Sequence, residues 1–203
     1  MSKRLYICLL LAVTCLVALG EQPSAVLDRA IAAMKRAGNV TANYAVSSSQ
    51  GNTHGTIAMN GTKFRLLSGD VKCWYDGKTQ WVYSPAVGEV NIVTPTPEDL
   101  QTTNPMAAAR GFKTHFNIER AAKQATGAAT IVLTPKSKSN IKTVTLTINN
   151  KTSLLERAVF TMTDRSVTTI TITGYKTGVN LPASTFKFDR KLVPAGTPVV
   201  DLR

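Results

Sequence analysis

The chain has 203 residues, of which 24 are Lys or Arg and 12 are Asp or Glu, giving a formal net charge of +12 with only three cysteines. That length suits a single domain with a substantial core, and the cysteine count leaves no room for a disulfide framework. The basic residues are scattered rather than gathered in one arm or helix. This argues against nucleic acid and suits anionic headgroups, an acidic partner or simply a solvated surface.

Residues 1–20 read as a cleavable signal peptide, with Lys3 and Arg4 at its start, an apolar run over 5–19, and a small-x-small pattern ending at Gly20. Cleavage there leaves a single domain over 21–203, carries away Cys8 and Cys15, and leaves Cys73 as a small buried hydrophobe without a partner. The alternative is lipidation at Cys15, which would make the protein membrane-anchored; its flanking Ala12 and Thr14 fit that signal less well.

The first predicted element is a helix over 24–37, capped by Ser24, with Leu27, Ala30, Ile31, Met34 and Ala37 at helical spacing and Gly38 as its stop. Short runs of period two follow: Val40 to Val46, then Ile57 and Met59, then Phe64 and Leu66. Asp76-Gly77 is a two-residue hairpin signal. It predicts that Trp74 pairs with Thr79 and Lys72 with Trp81, with Trp74, Trp81 and Tyr83 on one face. That face is either ordinary core or the wall of an apolar pocket. Val90 and Ile92 continue the pattern.

A different segment occupies 94–123. Thr96-Pro97-Glu98-Asp99 has the form of a capped helix start, Asn104-Pro105 opens a second short helix stopped by Gly111, and a third helical stretch is expected near 118–125. Beyond it the alternation sharpens, with Val144, Leu146 and Ile148 against Thr143, Thr145 and Thr147, and Ile170 and Ile172 against Thr169, Thr171 and Thr173. Asn149-Asn150-Lys151 and Asp164-Arg165-Ser166 are turn sequences between these strands. About ten strands with one apolar face and two or three short helices predict a mainly β, α+β fold: one curved antiparallel sheet covering a core or cavity.

Catalytic constellations are missing. His54, read as a strand-start residue, and His115, expected on a strand's polar face, have no acid or nucleophile at motif spacing, and there is no nucleophile elbow, phosphate loop or zinc ligand set. Neither an enzyme nor a cofactor or metal site is expected.

Several segments together resemble LolA-type periplasmic carriers of outer-membrane lipoproteins. They are His54-Gly-Thr-Ile-Ala-Met-Asn-Gly-Thr-Lys-Phe-Arg65; Asp76-Gly77-Lys78-Thr79-x-Trp81-x-Tyr83-x-Pro85 with Glu89-Val90; Ile131-Val-Leu-Thr-Pro135-Lys136; and Phe186-x-Phe188 as a closing strand with Val200-Asp201 in the tail. The resemblance implies an unclosed β-barrel with a helical lid over an apolar cavity and a monomeric chaperone without catalysis. Its implied partners are acylated lipoproteins, an inner-membrane exporter complex, and an outer-membrane receiver or anionic membrane surface. On that reading the acyl-chain wall comprises Leu27, Ile31, Met34, Ile57, Met59, Phe64, Leu66, Trp74, Trp81, Tyr83, Val90 and Ile92, with Met106 in the lid. Carriers of this family place a lid-binding arginine in the turn before the hairpin Phe; here Asn60-Gly61-Thr62 stands there. Alternatives on the same scaffold are a lipid-sensing envelope regulator and a membrane-anchored lipoprotein receiver.

Overall fold

The computed structural model describes residues 21–203; the signal peptide expected at 1–20 and the alternative lipidation site at Cys15 lie outside them. Helix α1 (Pro23–Ala37) is followed by β1 (Asn39–Ser48), β2 (Gly51–Asn60), β3 (Lys63–Ser68), β4 (Lys72–Tyr75), β5 (Gln80–Ser84) and β6 (Glu89–Val93). Helices α2 (Pro97–Thr103) and α3 (Pro105–His115) come next, then β7 (Phe116–Arg120), β8 (Ala128–Pro135), β9 (Ile141–Asn149), β10 (Leu155–Met162), β11 (Val167–Thr177) and β12 (Val199–Asp201).

All twelve strands form one sheet, in the order β12-β6-β5-β4-β3-β2-β1-β11-β10-β9-β8-β7. Neighbours are antiparallel except β12, which adds parallel to β6. The two edges do not meet, so the barrel is unclosed. This is the mainly β fold with short helices that the strand pattern predicts.

Register fixes which side chains share a face. Val40, Ala42 and Tyr44 of β1 lie opposite Met59, Ile57 and Gly55 of β2. Met59 and Ile57 then face Phe64 and Leu66, which face Tyr75 and Cys73. On the other flank Tyr44 pairs with Ile172, and the same face continues through Ile170, Ala158, Leu146 and Ile131. The three helices cover this inner face. Val26, Leu27 and Ala30 of α1 pack on Ile131, Leu133, Val144, Leu146 and Ile148. The threonines at 143, 145, 147, 169, 171 and 173 occupy the outer face, as their alternation requires.

Local chemistry explains the element ends. Pro23 stands in the first turn of α1 and Gln22 precedes it without a side-chain cap, so Ser24 is inside the helix and not its cap. Gly38 ends α1 with φ +62°, a left-handed value that suits glycine. Thr96 and Asp99 form a reciprocal capping box on α2, as its sequence predicts. Gly111 does not stop α3. The helix runs four residues further, and the missing Cβ makes room for Gln101 of α2, whose Oε1 would otherwise lie 2.8 Å from it. The third helix expected near 118–125 is instead β7 and a turn, because Ile118 pairs with Leu133 at the sheet edge. His115 ends α3 rather than lying on a strand, and His54 sits within β2, opposite Ala45.

The hairpin between β4 and β5 differs from the two-residue prediction. Asp76 Oδ1 accepts from both Lys78 N and Thr79 N, and Asp76 N donates to Thr79 O, which makes a wider loop. Trp74 therefore pairs with Trp81 and Lys72 with Tyr83. A shift of two residues preserves the face, so Trp74, Trp81 and Tyr83 do lie together.

That face is the outer one. Phe64 pairs with Tyr75, not with Trp74, so Trp74 points away from Phe64 and toward the C-terminal segment. Trp74, Tyr83, Val90 and Val193 form a buried cluster with Leu67, Trp81, Phe188 and Leu192 against it. Phe188 meets Trp74 edge-on, with ring centroids 5.4 Å apart and an interplanar angle of 80°. Phe186 lies in a 3-10 turn and not in a closing strand; that role falls to β12. The Trp74 indole N–H is buried without a hydrogen-bond partner, so apolar contact holds the ring, while Lys72 Nζ donates to Leu192 O at 2.5 Å and ties the segment to β4.

Trp74→Ala is expected to lower stability by about 3–5 kcal/mol in urea unfolding. A double-mutant cycle with Phe188→Ala should return a coupling of about 0.5–1.5 kcal/mol; additive losses would mean the tail does not pack on this ring.

Candidate functional site

The inner face has a second apolar region beside the α1 core. Met59, Phe64, Cys73, Tyr75 and Met106 are buried there, and Ile31, Met34, Ile57, Leu66, Val82 and Leu100 are half-buried around them. The sheet supplies the floor from β2, β3, β4 and β5. Helix α1 supplies one wall through Ile31 and Met34, and α2 and α3 lie over the top through Leu100 and Met106. Together they make an apolar trough with a helical cover.

Of the sequence-predicted wall residues, Ile31, Met34, Ile57, Met59, Phe64, Leu66 and Met106 come together here. Leu27 sits farther along α1 in the main core. Trp74, Trp81, Tyr83, Val90 and Ile92 lie on the opposite face of the sheet. The cause is the turn between β3 and β4, where Ser68 N donates to Val71 O across Gly69-Asp70. A two-residue turn pairs even positions of β3 with odd positions of β4. Cys73, Tyr75 and Val82 therefore face Leu66 and Phe64, while Trp74 faces away. Those three residues and Leu100 were missed; Gly69-Asp70 was the sequence signal that could have placed the three strand residues.

The cover is tied down at its middle. Asn104, only 2% exposed, links α2 to α3. Its Oδ1 accepts from Met106 N and Ala107 N at 2.9 and 3.2 Å, and its Nδ2 donates to Thr62 O at 2.6 Å. One side chain thus caps α3 and fastens it to the β2–β3 turn. That turn is Asn60-Gly61-Thr62, the segment without the expected arginine, and the fastening comes from the cover instead. The far end of α3 is held by Phe112, which packs on Phe116 at 5.3 Å and Phe160 at 6.5 Å, by a Lys113–Asp28 ion pair to α1, and by Lys136, whose Nζ and N donate to Thr114 O and His115 O at 3.0 and 2.9 Å.

Between these attachments the trough is nearly full. A cavity of about 60 Å³ remains, at the junction of α1, α3 and the Asn60–Thr62 turn, lined by Met34, Met59 and Met106 with Lys35 and Arg110 at its rim. Sites that hold small organic ligands measure roughly 300–1,000 Å³, so this gap is too small for one. Three thioethers converge on the gap, and methionine adapts its shape more readily than branched residues.

The polar chemistry is sparse. Gln80 Nε2 donates to Cys73 Sγ at 3.1 Å, and burial pushes the thiol up to about 11, with the Gln80 bond opposing the shift. Tyr75 donates to Gly77 O at 2.9 Å, and burial, followed by the nearby Asp76, raises its hydroxyl. His54 and His115 are exposed and make no side-chain hydrogen bond among the described residues. Among those residues no group of His, Cys, Asp and Glu could hold a metal ion, and no helix is long and apolar enough to cross a membrane.

Asn104→Ala should remove about 1–2 kcal/mol from the cover. Hydrogen exchange of the 105–115 amides should accelerate by roughly 5–30-fold, with β8–β10 unchanged. Equal acceleration everywhere would mean Asn104 supports the whole fold. Because the raised Cys73 thiol stays protonated when folded, its effect on stability is neutral below about pH 8.5. Stability should then fall as pH rises toward about 11, where only the unfolded thiol ionises at first. A Cys73→Ala variant should lack that part of the pH dependence in urea titrations.

A family profile described as "Outer membrane lipoprotein carrier protein LolA" matches residues 14–159. No curated protein matches the chain in sequence. An uncharacterized conserved protein from Thermus thermophilus superposes with a TM-score of 0.60 at 15% identity, covering 88% of this chain and 98% of that one. A chain of the Pseudomonas aeruginosa MucA/MucB complex superposes with a TM-score of 0.50 at 10% identity, covering 82% of this chain and 61% of its own length. The LolA superfamily protein NE2245 from Nitrosomonas europaea gives a TM-score of 0.45 at 12% identity, covering 83% of this chain and 99% of that one.

Proposed function

Because this chain belongs to the LolA family of outer membrane lipoprotein carrier proteins, we propose that it is a non-catalytic periplasmic carrier that holds the acyl chains of a lipoprotein in the trough beneath α2 and α3. The observation that carries this reading is the trough itself: an apolar floor and wall under a cover attached at a few named points. The mature carrier is the single domain 21–203, released after Gly20. Its partners are acylated lipoproteins and the inner-membrane complex that exports them, with an outer-membrane receiver taking the cargo.

The physical requirement is plain. At about 0.8 kcal/mol per buried CH₂, a sixteen-carbon chain left in water is unfavourable by about 12 kcal/mol. The closed trough has no space for it, so loading displaces the cover and replaces its Leu100 and Met106 contacts with acyl contacts. Exchange of one apolar filling for another keeps the net affinity modest, which allows handover. The attachments of α3 differ in kind: a buried amide at its start, and at its end an aromatic cluster, two hydrogen bonds from Lys136 and an exposed ion pair. The exposed pair contributes little, so the Asn104 amide at one end and the Phe112 rings with the Lys136 hydrogen bonds at the other set the work of opening.

Leu66→Glu, on the half-buried floor, should weaken binding of a purified acylated lipoprotein about tenfold or more, and Thr171→Glu on the outer face should leave it unchanged. Trp81→Glu should lower stability by loosening the tail while the folded fraction binds normally. Wild-type binding by a folded Leu66→Glu variant, or no acylated ligand in extracts of envelope-purified protein, would sink the carrier reading. Free lipid without lipoprotein in those extracts would favour a lipid-sensing role.

A further inference from the structure

The outer face carries a second hollow, separate from the trough and from the tail cluster. It measures about 260 Å³ and crosses β11, β1, β2 and β3. Its polar lining is Thr41, Asn43, Thr56, Arg65 and Lys176, with Gly174 at one side and no carboxylate among its lining residues. A break in strand pairing opens it. The β1–β11 register slips between Thr41 and Asn43. Opposite the slip, Gly174 has φ +62°, and a Cβ there would lie 2.8 Å from Asn43 Nδ2. Only glycine serves both the backbone and the approaching amide.

Among the described residues, Thr41, Asn43, Thr56, Arg65 and Lys176 make no side-chain hydrogen bond or ion pair. Arg65 is the informative one. It is half-buried, opposite Ala58 on one side and Trp74 on the other, and so is partly withdrawn from water without a counter-ion. A guanidinium in that position presents a fixed fork of donors that matches phosphate oxygens. Lys176 adds a second positive charge from another strand, and the threonine hydroxyls and the Asn43 amide add neutral donors.

We propose that this hollow binds a phosphate ester of about the size of a lipid headgroup. Its volume is below that of sites for larger organic ligands. Arg65 and Lys176 both line the hollow, from strands on either side of β1 and β2, and a phosphate ester has acceptor oxygens enough for both cations, whereas the fork alone satisfies a carboxylate. The ester comes either from a soluble phosphate or from a headgroup in an anionic bilayer. In the second case the protein approaches a membrane by the face opposite its trough. The site stands whether or not the trough holds acyl chains.

The test uses the full mature chain and two probes: sn-glycerol 3-phosphate by calorimetry, and vesicles of phosphatidylglycerol against phosphatidylcholine by co-sedimentation. Saturable binding to at least one phosphate probe is expected. It should weaken about tenfold or more in Arg65→Gln and in Lys176→Gln, and less than about twofold in Lys123→Gln, which removes the same charge from a distant turn. Binding of the soluble ester alone assigns a free phosphate; binding of the anionic vesicles assigns a headgroup. No binding of either probe, or equal losses in the Lys176→Gln and Lys123→Gln variants, overturns the proposal. Lys176 is exposed, so its variant decides the matter even if Arg65→Gln fails to fold.

Discussion

From β4 to β6 the sheet carries large apolar side chains on both of its faces, and the two covers of the fold follow from having to bury both. Alternation sends Phe64, Leu66, Cys73 and Tyr75 inward and Trp74, Trp81, Tyr83 and Val90 outward. Neither set can be left in water. The inner set is covered by helices inserted between β6 and β7. The outer set is covered by the chain after β11, which lays Phe188, Leu192 and Val193 on the indole of Trp74 before β12 joins β6. Elsewhere the sheet has threonine on its outer face and needs no second cover.

The two covers are built differently. The tail ends in backbone pairing with an edge strand, so moving it breaks hydrogen bonds as well as apolar contact. The helical cover meets the sheet by backbone only at its last residue, where His115 O accepts from Lys136 N at 2.9 Å. It is otherwise held by side chains: Asn104, the ring of Phe112, Lys136 Nζ on Thr114 O and one exposed ion pair. Local opening follows the weaker attachment. The helices are thus the cover fastened mainly by side chains, and the tail the cover fastened by strand pairing. Three methionines, Met34, Met59 and Met106, line the gap where α1 and α3 meet the β2–β3 turn.

Charge is distributed to fit this division. Many carboxylates are engaged locally: Asp76 and Asp164 in turns, Asp99 at a helix start, Asp28 with Lys113 and Asp201 with Arg203. Hydrogen bonds from Ser166 hold the Asp164 carboxyl below its usual range, and those from Arg203 hold Asp201 at about 2. Several lysines and arginines have no such partner. The excess is most clearly organised at the outer hollow, where a bulge and a positive-φ glycine place Arg65 and Lys176 around hydroxyl and amide groups. Long-range attraction of anions to such a surface weakens with salt.

Period-two alternation by itself determined the one-sided strands of the second half, and the Thr96-Pro97-Glu98-Asp99 and Asn104-Pro105 signals determined the starts of α2 and α3, because these are local matters of side-chain spacing and backbone hydrogen bonding. The strands Phe116–Arg120 and Val199–Asp201 were not legible, since each exists by pairing with a partner far along the chain or at an edge. The aromatic hairpin shows the division most clearly. Sequence alone put Trp74, Trp81 and Tyr83 on a common face. Only the assembled sheet decided which face, because the two-residue turn at Gly69-Asp70 sets the parity between β3 and β4, and a single step in register exchanges the inside of a sheet for its outside.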